Sequence, residues 1–172
     1  AAPDMKLAGR RALELGAGCG LASVVAAACG ANVLATDRDV EVLRRNFHNV
    51  AALDFGEPSL PPSCLPATLV FASDVLYACV LGVPTRNCAQ ATSTVRFAYH
   101  CCCNEPISRR SHLASTLAAL PHLKDVVLAH TERGDPASDV CAAFLTLFRP
   151  RCRSVSIVAR VGNIALYSLK IR

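Results

Sequence analysis

Three glycines at alternate positions, preceded by an acidic residue, are the first group in this chain whose types and spacing could do chemistry. They occur in the stretch A-L-E-L-G-A-G-C-G as Glu14, Gly16, Gly18 and Gly20. Glycine tolerates positive φ and, having no Cβ, allows a ligand to lie directly against the backbone. Dinucleotide sites place their third glycine three residues after the second, where this chain has Leu21. The spacing therefore departs from the dinucleotide pattern but suits the floor of a nucleotide or nucleoside pocket, and its simpler alternative is a tight turn.

The glycines alone are a weak signal for a nucleoside site. A second acidic residue, Asp37, strengthens that signal. It follows the apolar stretch N-V-L-A-T, which reads as a second strand after an intervening helix. A carboxylate at this point, about 20 residues beyond a glycine loop, can accept hydrogen bonds from both ribose hydroxyls. Because the loop and the acid belong to one predicted βαβ unit, we expect a nucleoside site at their shared edge.

The elements that must position these residues alternate between strands and helices. The predicted strands cover 11–15, 32–36, 53–55, 68–72, 125–130, 154–161 and 164–171, and the predicted helices cover 21–28, 39–50, 111–120 and 136–148. This order predicts an α/β fold with a Rossmann-like, seven-stranded, mostly parallel sheet and helices on both faces. The Gly162-Asn163 pair predicts a C-terminal antiparallel hairpin.

The fourth predicted strand, 68–72, is expected to lie beside the first strand at the centre of the sheet. Asp74 follows it directly. Ligands of open α/β sheets collect at the carboxyl edge of the strands, where the strand order reverses. We therefore expect Asp74 to face the same crevice as Gly16.

Length and composition place limits on the kind of protein. A chain of 172 residues with 52% apolar residues suits a single domain over 1–172 with a buried sheet. The longest apolar run, 21–29, is far shorter than the roughly 20 residues of a membrane span, and the N-terminus has no signal-peptide pattern. The formal charge of +5 is scattered. We interpret it as a solvated surface and expect no nucleic-acid partner.

The ten cysteines follow no disulfide framework, so we expect a reducing compartment, the cytosol or the nucleus. His100 and the three cysteines 101–103 offer metal ligands. Three adjacent cysteines do not easily point at one ion, however, and structural zinc sites favour pairs spaced by two to four residues. We expect no metal site.

The stretch 78–108 shows no sustained period and interrupts the alternation of elements. A structureless segment of this length is uncommon inside a compact domain. It is interpreted as an irregular insertion, which could be a lid or a stretch of non-native sequence.

Five segments of the chain resemble the methyltransferase-like protein lysine methyltransferases, a family of class I S-adenosylmethionine-dependent enzymes. The segments are E-L-G-A-G-C-G-L over 14–21, T-D-R-D over 36–39, L-R-R-N over 43–46, L-D-F over 53–55 and D-V-L-Y over 74–77. A further segment, A-H-T-E-R over 129–133, resembles the region after the family's fifth strand. The resemblance covers most of the chain outside 78–108.

This resemblance implies S-adenosylmethionine as the cofactor and assigns roles to individual residues. Glu14 and the three glycines would form the wall for the methionine part, and Asp37 would hold the ribose. Asp54 would accept from the adenine amine while Phe55 stacks on the base. Asp74 and Tyr77 would border the opening where the methyl group meets its acceptor, with Asp74 also contributing to the cofactor site. On the residues alone, Asp54 could equally cap a turn, and Tyr77 could be a partly buried aromatic.

The resemblance further implies that the acceptor is a lysine side chain of a protein substrate. Two other functions remain open: a methyltransferase for arginine, histidine or a small molecule, and a non-catalytic module that keeps the fold for binding. We expect a monomer without membrane attachment.

Overall fold

A seven-stranded sheet forms the centre of the computed structural model, which describes residues 6–45, 47–53, 59–76, 108–132 and 140–172. The strands are β1 (Arg11–Leu15), β2 (Asn32–Asp37), β3 (Val50–Ala52), β4 (Leu69–Ser73), β5 (Asp125–Thr131), β6 (Cys152–Val161) and β7 (Ile164–Ile171). Their order is β3-β2-β1-β4-β5-β7-β6. The first five strands pair in parallel, and β7 is antiparallel to both of its neighbours. The predicted fold class is confirmed.

Strand β1 lies between β2 and β4, as the sequence predicted. Leu13 is opposite Leu34 on one side and Val70 on the other. Because paired strands flank β1 and helices cover the sheet, residues 12–15 are all buried. The helices are α1 (Leu21–Ala28), α2 (Glu41–Arg44), α3 (Ser108–Ala118) and α4 (Val140–Phe148), and a short 3-10 turn (Arg149–Arg151) follows α4.

The main core lies on one face of the sheet. Alternate residues of the central strands share this face and pack against α3 and α4, among them Leu13, Leu15, Val70, Ala72, Val126, Leu128, Leu113, Leu117 and Phe144. The rings of Phe144 and Phe148 stack with their centroids 5.6 Å apart. The opposite face carries Glu14 and is covered in part by α1, which buries Ser23 and Ala26.

The region after β2 differs from the prediction. A helix was expected from Asp39 to about Val50, but α2 ends at Arg44 and Val50 begins β3, three residues before the predicted third strand. The amide of Asn49 donates from Nδ2 to the Val33 carbonyl at 2.6 Å, and the Asn49 carbonyl accepts from Ala35. These bonds to β2 draw the chain into the sheet before another helical turn can form. The sequence also predicts a helix cap at Asp39; its Oδ1 accepts from the Glu41 amide at 3.1 Å, but the N-cap residue of α2 is Val40, which makes no side-chain cap bond.

The helical spacing of Val140, Phe144, Leu147 and Phe148 predicts an apolar face for α4, and this prediction is partly wrong. Phe144 and Phe148 are buried, but Leu147 is 52% exposed and Cys141 takes a core position instead. Among the described residues, every helix is too short or too polar to cross a membrane. The predicted insertion at 78–108 lies outside the described residues apart from Ser108, which begins α3.

Candidate active site

The glycine loop turns the chain sharply between the end of β1 and the start of α1. Gly16, Gly18 and Gly20 have φ of 65°, 54° and 78°, a region that side chains with a Cβ adopt only with strain. The Ala17 amide donates to the Thr36 carbonyl at 2.9 Å, which ties the loop to β2. The loop and the end of β2 therefore form one structural unit, as the βαβ pattern predicted.

The two loop glycines nearer to α1, Gly18 and Gly20, have different surroundings. A Cβ on Gly20 would collide with Cε2 of Phe47 and would lie 3.1 Å from Cδ2 of Leu43, so close packing favours glycine there. A Cβ on Gly18 would have nothing within 4 Å. The backbone at Gly18 thus faces open space, where a ligand can approach it directly.

Glu14 lies at the buried end of β1, with 3% of its surface exposed. Its Oε2 accepts from the Ser23 amide at 3.0 Å and also from the Ser23 hydroxyl. Burial raises the pKa of the Glu14 carboxyl above its usual range, while the two bonds from Ser23 work against this rise and the charge of Asp37 adds to it. The carboxyl is therefore anchored beneath the first turn of α1.

Asp37, at the end of β2, is bonded through both carboxylate oxygens. Oδ2 accepts from the Gly18 amide at 2.8 Å, and Oδ1 accepts from the Asp39 amide at 3.0 Å. The side chain is half-buried. A carboxylate oxygen has room for a second hydrogen bond, so each Asp37 oxygen keeps the capacity to accept one from a ligand.

Asp74 follows β4 directly and has φ of 51°, the only positive φ among the described residues other than glycine. Aspartate tolerates this conformation better than most side chains. Its amide donates to the Ala129 carbonyl of β5 at 2.9 Å, which holds the half-buried residue at the carboxyl edge of the sheet. The predicted placement of β4, which Asp74 follows, beside the strand that leads into the glycine loop is confirmed by the β1–β4 pairing.

Two polar residues that support the site were missed in the sequence. The hydroxyl of Thr36 donates to the Glu14 carbonyl at 2.6 Å, and Ser23 binds the Glu14 carboxyl as described above. Both side chains are fully buried. Ser23 interrupts the apolar run over 21–29, and that single polar residue was the available signal.

The remaining predicted site residues, Asp54, Phe55 and Tyr77, lie outside the described residues. So do His100 and the cysteines 101–103. Within the described ranges, no three histidine, cysteine, aspartate or glutamate side chains are placed to hold a metal ion.

Comparison with known proteins agrees with this geometry. Residues 2–84 match the family described as "Lysine methyltransferase". A 44-residue segment is 54% identical to the protein N-lysine methyltransferase METTL21A of Danio rerio. That match covers 24% of this chain and 20% of the relative, so the shared segment spans about a fifth of the relative's length.

Two solved structures extend the likeness to nearly the whole chain. The Mtq2-Trm112 complex of E. cuniculi matches with a TM-score of 0.59 at 11% identity, covering 96% of this chain and 87% of the other. An S-adenosylmethionine dependent methyltransferase from Mesorhizobium loti matches with a TM-score of 0.57 at 13% identity, covering 96% and 92%. This chain has the class I methyltransferase fold.

In this fold the glycine loop, Asp37 and Asp74 all lie at the carboxyl edge of the parallel strands. Within that fold, residues 2–84 resemble the lysine methyltransferases, which confirms the resemblance drawn from the sequence motifs. The matched residues include Glu14 on β1, Asp37 at the end of β2 and Asp74 directly after β4, and these three strands are adjacent in the sheet.

Proposed function

We propose that the chain is an S-adenosylmethionine-dependent methyltransferase that methylates lysine side chains of a protein substrate. The observation that carries this proposal is the overlap between the family match over 2–84 and the carboxyl edge formed by β2, β1 and β4. The name of the zebrafish relative supports a protein lysine as the acceptor. The named relatives thus support both the cofactor and the acceptor.

The residues at this edge suit the proposed cofactor. Asp37 offers carboxylate lone pairs of the kind that ribose hydroxyls require, and Gly18 leaves the backbone open above the loop. We assign the methionine part to Glu14 and the three glycines, the ribose to Asp37, and the adenine to Asp54 and Phe55. When bound, S-adenosylmethionine supplies a methyl group on a positively charged sulfur that is already activated for transfer.

The protein must then hold the substrate lysine as a neutral amine, with its nitrogen in line with the methyl group to be transferred. A free lysine has a pKa of about 10.4 and arrives as an ammonium ion. We propose that Asp74 accepts hydrogen bonds from this ammonium and that burial beside a positive charge favours release of its proton to water. Asp74 then holds the neutral amine in the attacking orientation, and Tyr77 shapes the opening.

We further propose that the protein acts as a monomer in the cytosol or the nucleus. Cys64 and Cys152 are buried thiols, and burial raises the pKa of both. A raised pKa leaves less of each thiol in the reactive thiolate form. Unreactive core thiols of this kind suit a reducing compartment.

Cofactor binding is tested by calorimetric titration of S-adenosylmethionine into the wild-type chain and into Asp37→Ala. The matched control is Asp39→Ala, because the Asp39 carboxylate accepts from the Glu41 amide, while the bond to Asp37 comes from the Asp39 backbone amide, which the variant keeps. We expect Asp37→Ala to weaken binding about tenfold or more, equivalent to about 1.4 kcal/mol, and Asp39→Ala to bind as the wild type does. Equal binding by all three proteins contradicts the assignment of Asp37.

Acceptor chemistry is tested by incubating the chain and a cell lysate with S-adenosylmethionine that carries a radiolabelled methyl group. Labelled proteins are hydrolysed and their methylated amino acids separated. We expect label in methyl-lysine and a strong reduction with Asp74→Ala. Label in methyl-arginine or methyl-histidine would assign another acceptor, and cofactor binding without any labelled protein would favour a binding module.

A further inference from the structure

The amino edge of the sheet, where β1, β4 and β5 begin, gathers cations that are far apart in the sequence. Arg11 begins β1, Lys124 directly precedes β5, and the 3-10 turn Arg149–Arg151 leads into β6 at the same edge. Strand β7 is antiparallel to β5 and β6, so it ends at this edge and brings Lys170 and Arg172 there. The charge that is scattered along the sequence is therefore concentrated by the fold.

Backbone hydrogen bonds hold these strand ends side by side. The Lys124 amide donates to the Thr68 carbonyl at 3.0 Å, and the Ile171 amide donates to the Lys124 carbonyl at 2.8 Å. The Arg172 amide donates to the Arg151 carbonyl at 3.1 Å. Five neighbouring strands, β1, β4, β5, β7 and β6, contribute to the edge. At about 4.8 Å per strand they cover about 19 Å.

The cations converge most closely at the start of β6. Nε of Arg172 donates to the Cys152 carbonyl at 3.1 Å. Burial raises the pKa of the Cys152 thiol, and the positive charges of Arg149 and Arg172 act against this rise, so both charges are near it. Arg153 follows as the extra residue of a β-bulge and is exposed.

The protein neutralises few of these cations itself. Arg10 and Lys170 share the carboxylate of Asp125, each at 2.7 Å. Five further cations at this edge are exposed and form no ion pair with another described residue. We name these five the basic row: Arg11, Lys124, Arg149, Arg151 and Arg153.

Acidic side chains lie mainly toward the opposite edge of the sheet. Apart from Asp125, the acidic residues that the structure describes are Glu14, Asp37, Asp39, Glu41, Asp74 and Glu132. The cations of the basic row lie on or beside neighbouring strands, well within the screening length of about 8 Å at 0.15 M salt. They therefore repel one another, and an anionic partner would relieve this repulsion.

We infer that the basic row docks an acidic segment of a partner protein. Four of its five cations are arginines, whose guanidinium groups bind carboxylates through two parallel hydrogen bonds. Six extended residues cover about 20 Å, which matches the width of the five strand ends. The row lies at the edge opposite the glycine loop and Asp74, so this inference does not depend on the proposed function.

The exposed surface favours a protein segment over single-stranded nucleic acid as the polyanion. Proteins that bind single strands without sequence preference combine a basic groove with aromatic side chains on which the bases stack. Among the described residues, every large apolar side chain that is exposed is aliphatic. The row thus offers charge and guanidinium groups without a stacking platform.

The test measures binding of dye-labelled probes to the wild-type chain by fluorescence anisotropy at 50 mM and 500 mM NaCl. The acidic probe is a peptide of eight glutamates, and the neutral probe is a serine-glycine peptide of the same length. A third probe is an RNA of eight uridines. We expect the acidic peptide to bind about tenfold more tightly at the lower salt concentration, because salt screens exposed charges. The neutral peptide should not bind.

The variant Arg151→Gln/Arg153→Gln removes two charges from the basic row. It should bind the acidic peptide about fivefold more weakly at 50 mM NaCl. The matched control is Arg44→Gln/Arg45→Gln, because these two exposed arginines lie at the end of α2, outside the row. It should bind as the wild type does. Arg151→Lys/Arg153→Lys keeps both charges and should bind within about twofold of the wild type.

Equal weakening in the row variant and in the control would overturn the inference, because binding would then follow net charge alone. Absence of binding by the acidic peptide at 50 mM NaCl would also overturn it. Tighter binding of the RNA than of the acidic peptide would reject a protein segment and assign the row to nucleic acid. A chain that binds the acidic peptide through the row but transfers no methyl group would keep this inference and contradict the proposed function.

Discussion

The carboxylate of Asp37 accepts a hydrogen bond from the amide of Gly18, with 2.8 Å between Oδ2 and the nitrogen. This bond connects the loop after β1 to the end of β2, the two halves of the nucleoside motif. The residue predicted to hold the ribose therefore also fixes the shape of the loop that the cofactor would touch. A substitution at Asp37 should change both properties.

We expect Asp37→Ala to speed hydrogen exchange at the Gly18 amide even without cofactor, because that amide loses its acceptor. The loss should also lower the free energy of unfolding by about 1 kcal/mol. Amide exchange followed by NMR measures the first effect, and urea denaturation measures the second. Unchanged exchange at Gly18 would show that water replaces the carboxylate without consequence.

Glu14 should make the stability of the protein decrease as the pH rises. Its native pKa is raised above the ordinary value of 4.5, chiefly by burial. Between 4.5 and the native pKa, the folded state binds a proton that the unfolded state has released, so the free energy of unfolding falls across this window. Glu14→Gln has no such titration, and its stability should be flatter over the same range. Urea denaturation from pH 4 to pH 8 tests this comparison.

Ser23→Ala should enlarge the Glu14 effect. The ionised carboxyl would keep the Ser23 amide bond but lose the hydroxyl bond, so its pKa should rise further. We expect a destabilisation of about 1–3 kcal/mol at pH 7 and a smaller one below pH 4.5, where the carboxyl is protonated in both states. The same loss at both pH values would show that the hydroxyl acts through packing alone.

Asp125 should have the opposite pH dependence. It is bonded to Lys170 and Arg10, each at 2.7 Å. Burial acts to raise its pKa, but hydrogen bonds from Lys170 and Arg10 outweigh burial and hold the pKa below the ordinary 3.8. The stabilisation is present above 3.8 and is lost as the pH falls through the lowered native pKa. We expect Asp125→Asn to cost about 1–2 kcal/mol at pH 7, since Lys170 is half-exposed and screened, and little in acid.

Gly18 and Gly20 form a matched pair of substitutions. Alanine at either position forces a side chain into positive φ, which costs about 1–2 kcal/mol. Gly20→Ala also places its Cβ against the Phe47 ring, so it should lower the melting temperature more than Gly18→Ala does. Gly18→Ala, whose Cβ points into open space, should weaken S-adenosylmethionine binding more than its effect on stability explains. Thermal denaturation and calorimetry on both variants test this difference in rank.

The sequence was most informative where a local pattern and the fold agree. The bounds of β1, α1 and β7 follow from apolar period and turn residues, and the structure reproduces them. The end of α2 did not follow, because Asn49 is held by Val33, a residue of another strand. No local pattern contains that partner.

In the candidate site, too, the local sequence predicted some features, while others depend on partners elsewhere in the chain. Glycine spacing and strand-end acids placed Glu14, Asp37 and Asp74 at one edge of the sheet. The bonds of Ser23 to Glu14 and of Asp37 to Gly18 join residues nine and nineteen positions apart. The exposure of Leu147 likewise depends on how α4 meets the sheet, which helical periodicity alone does not determine.

The central position of β1 has a consequence for how the protein folds during synthesis. Its partner β4 begins at Leu69, 57 positions after Ala12 in the β1–β4 register, whereas β6 and β7 are joined by a two-residue turn. Pairing of distant segments is slow because a long loop must close first. The strand that leads into the glycine loop therefore leaves the ribosome before β4 and waits with an unpaired apolar edge, so the nascent chain is exposed to aggregation during that interval.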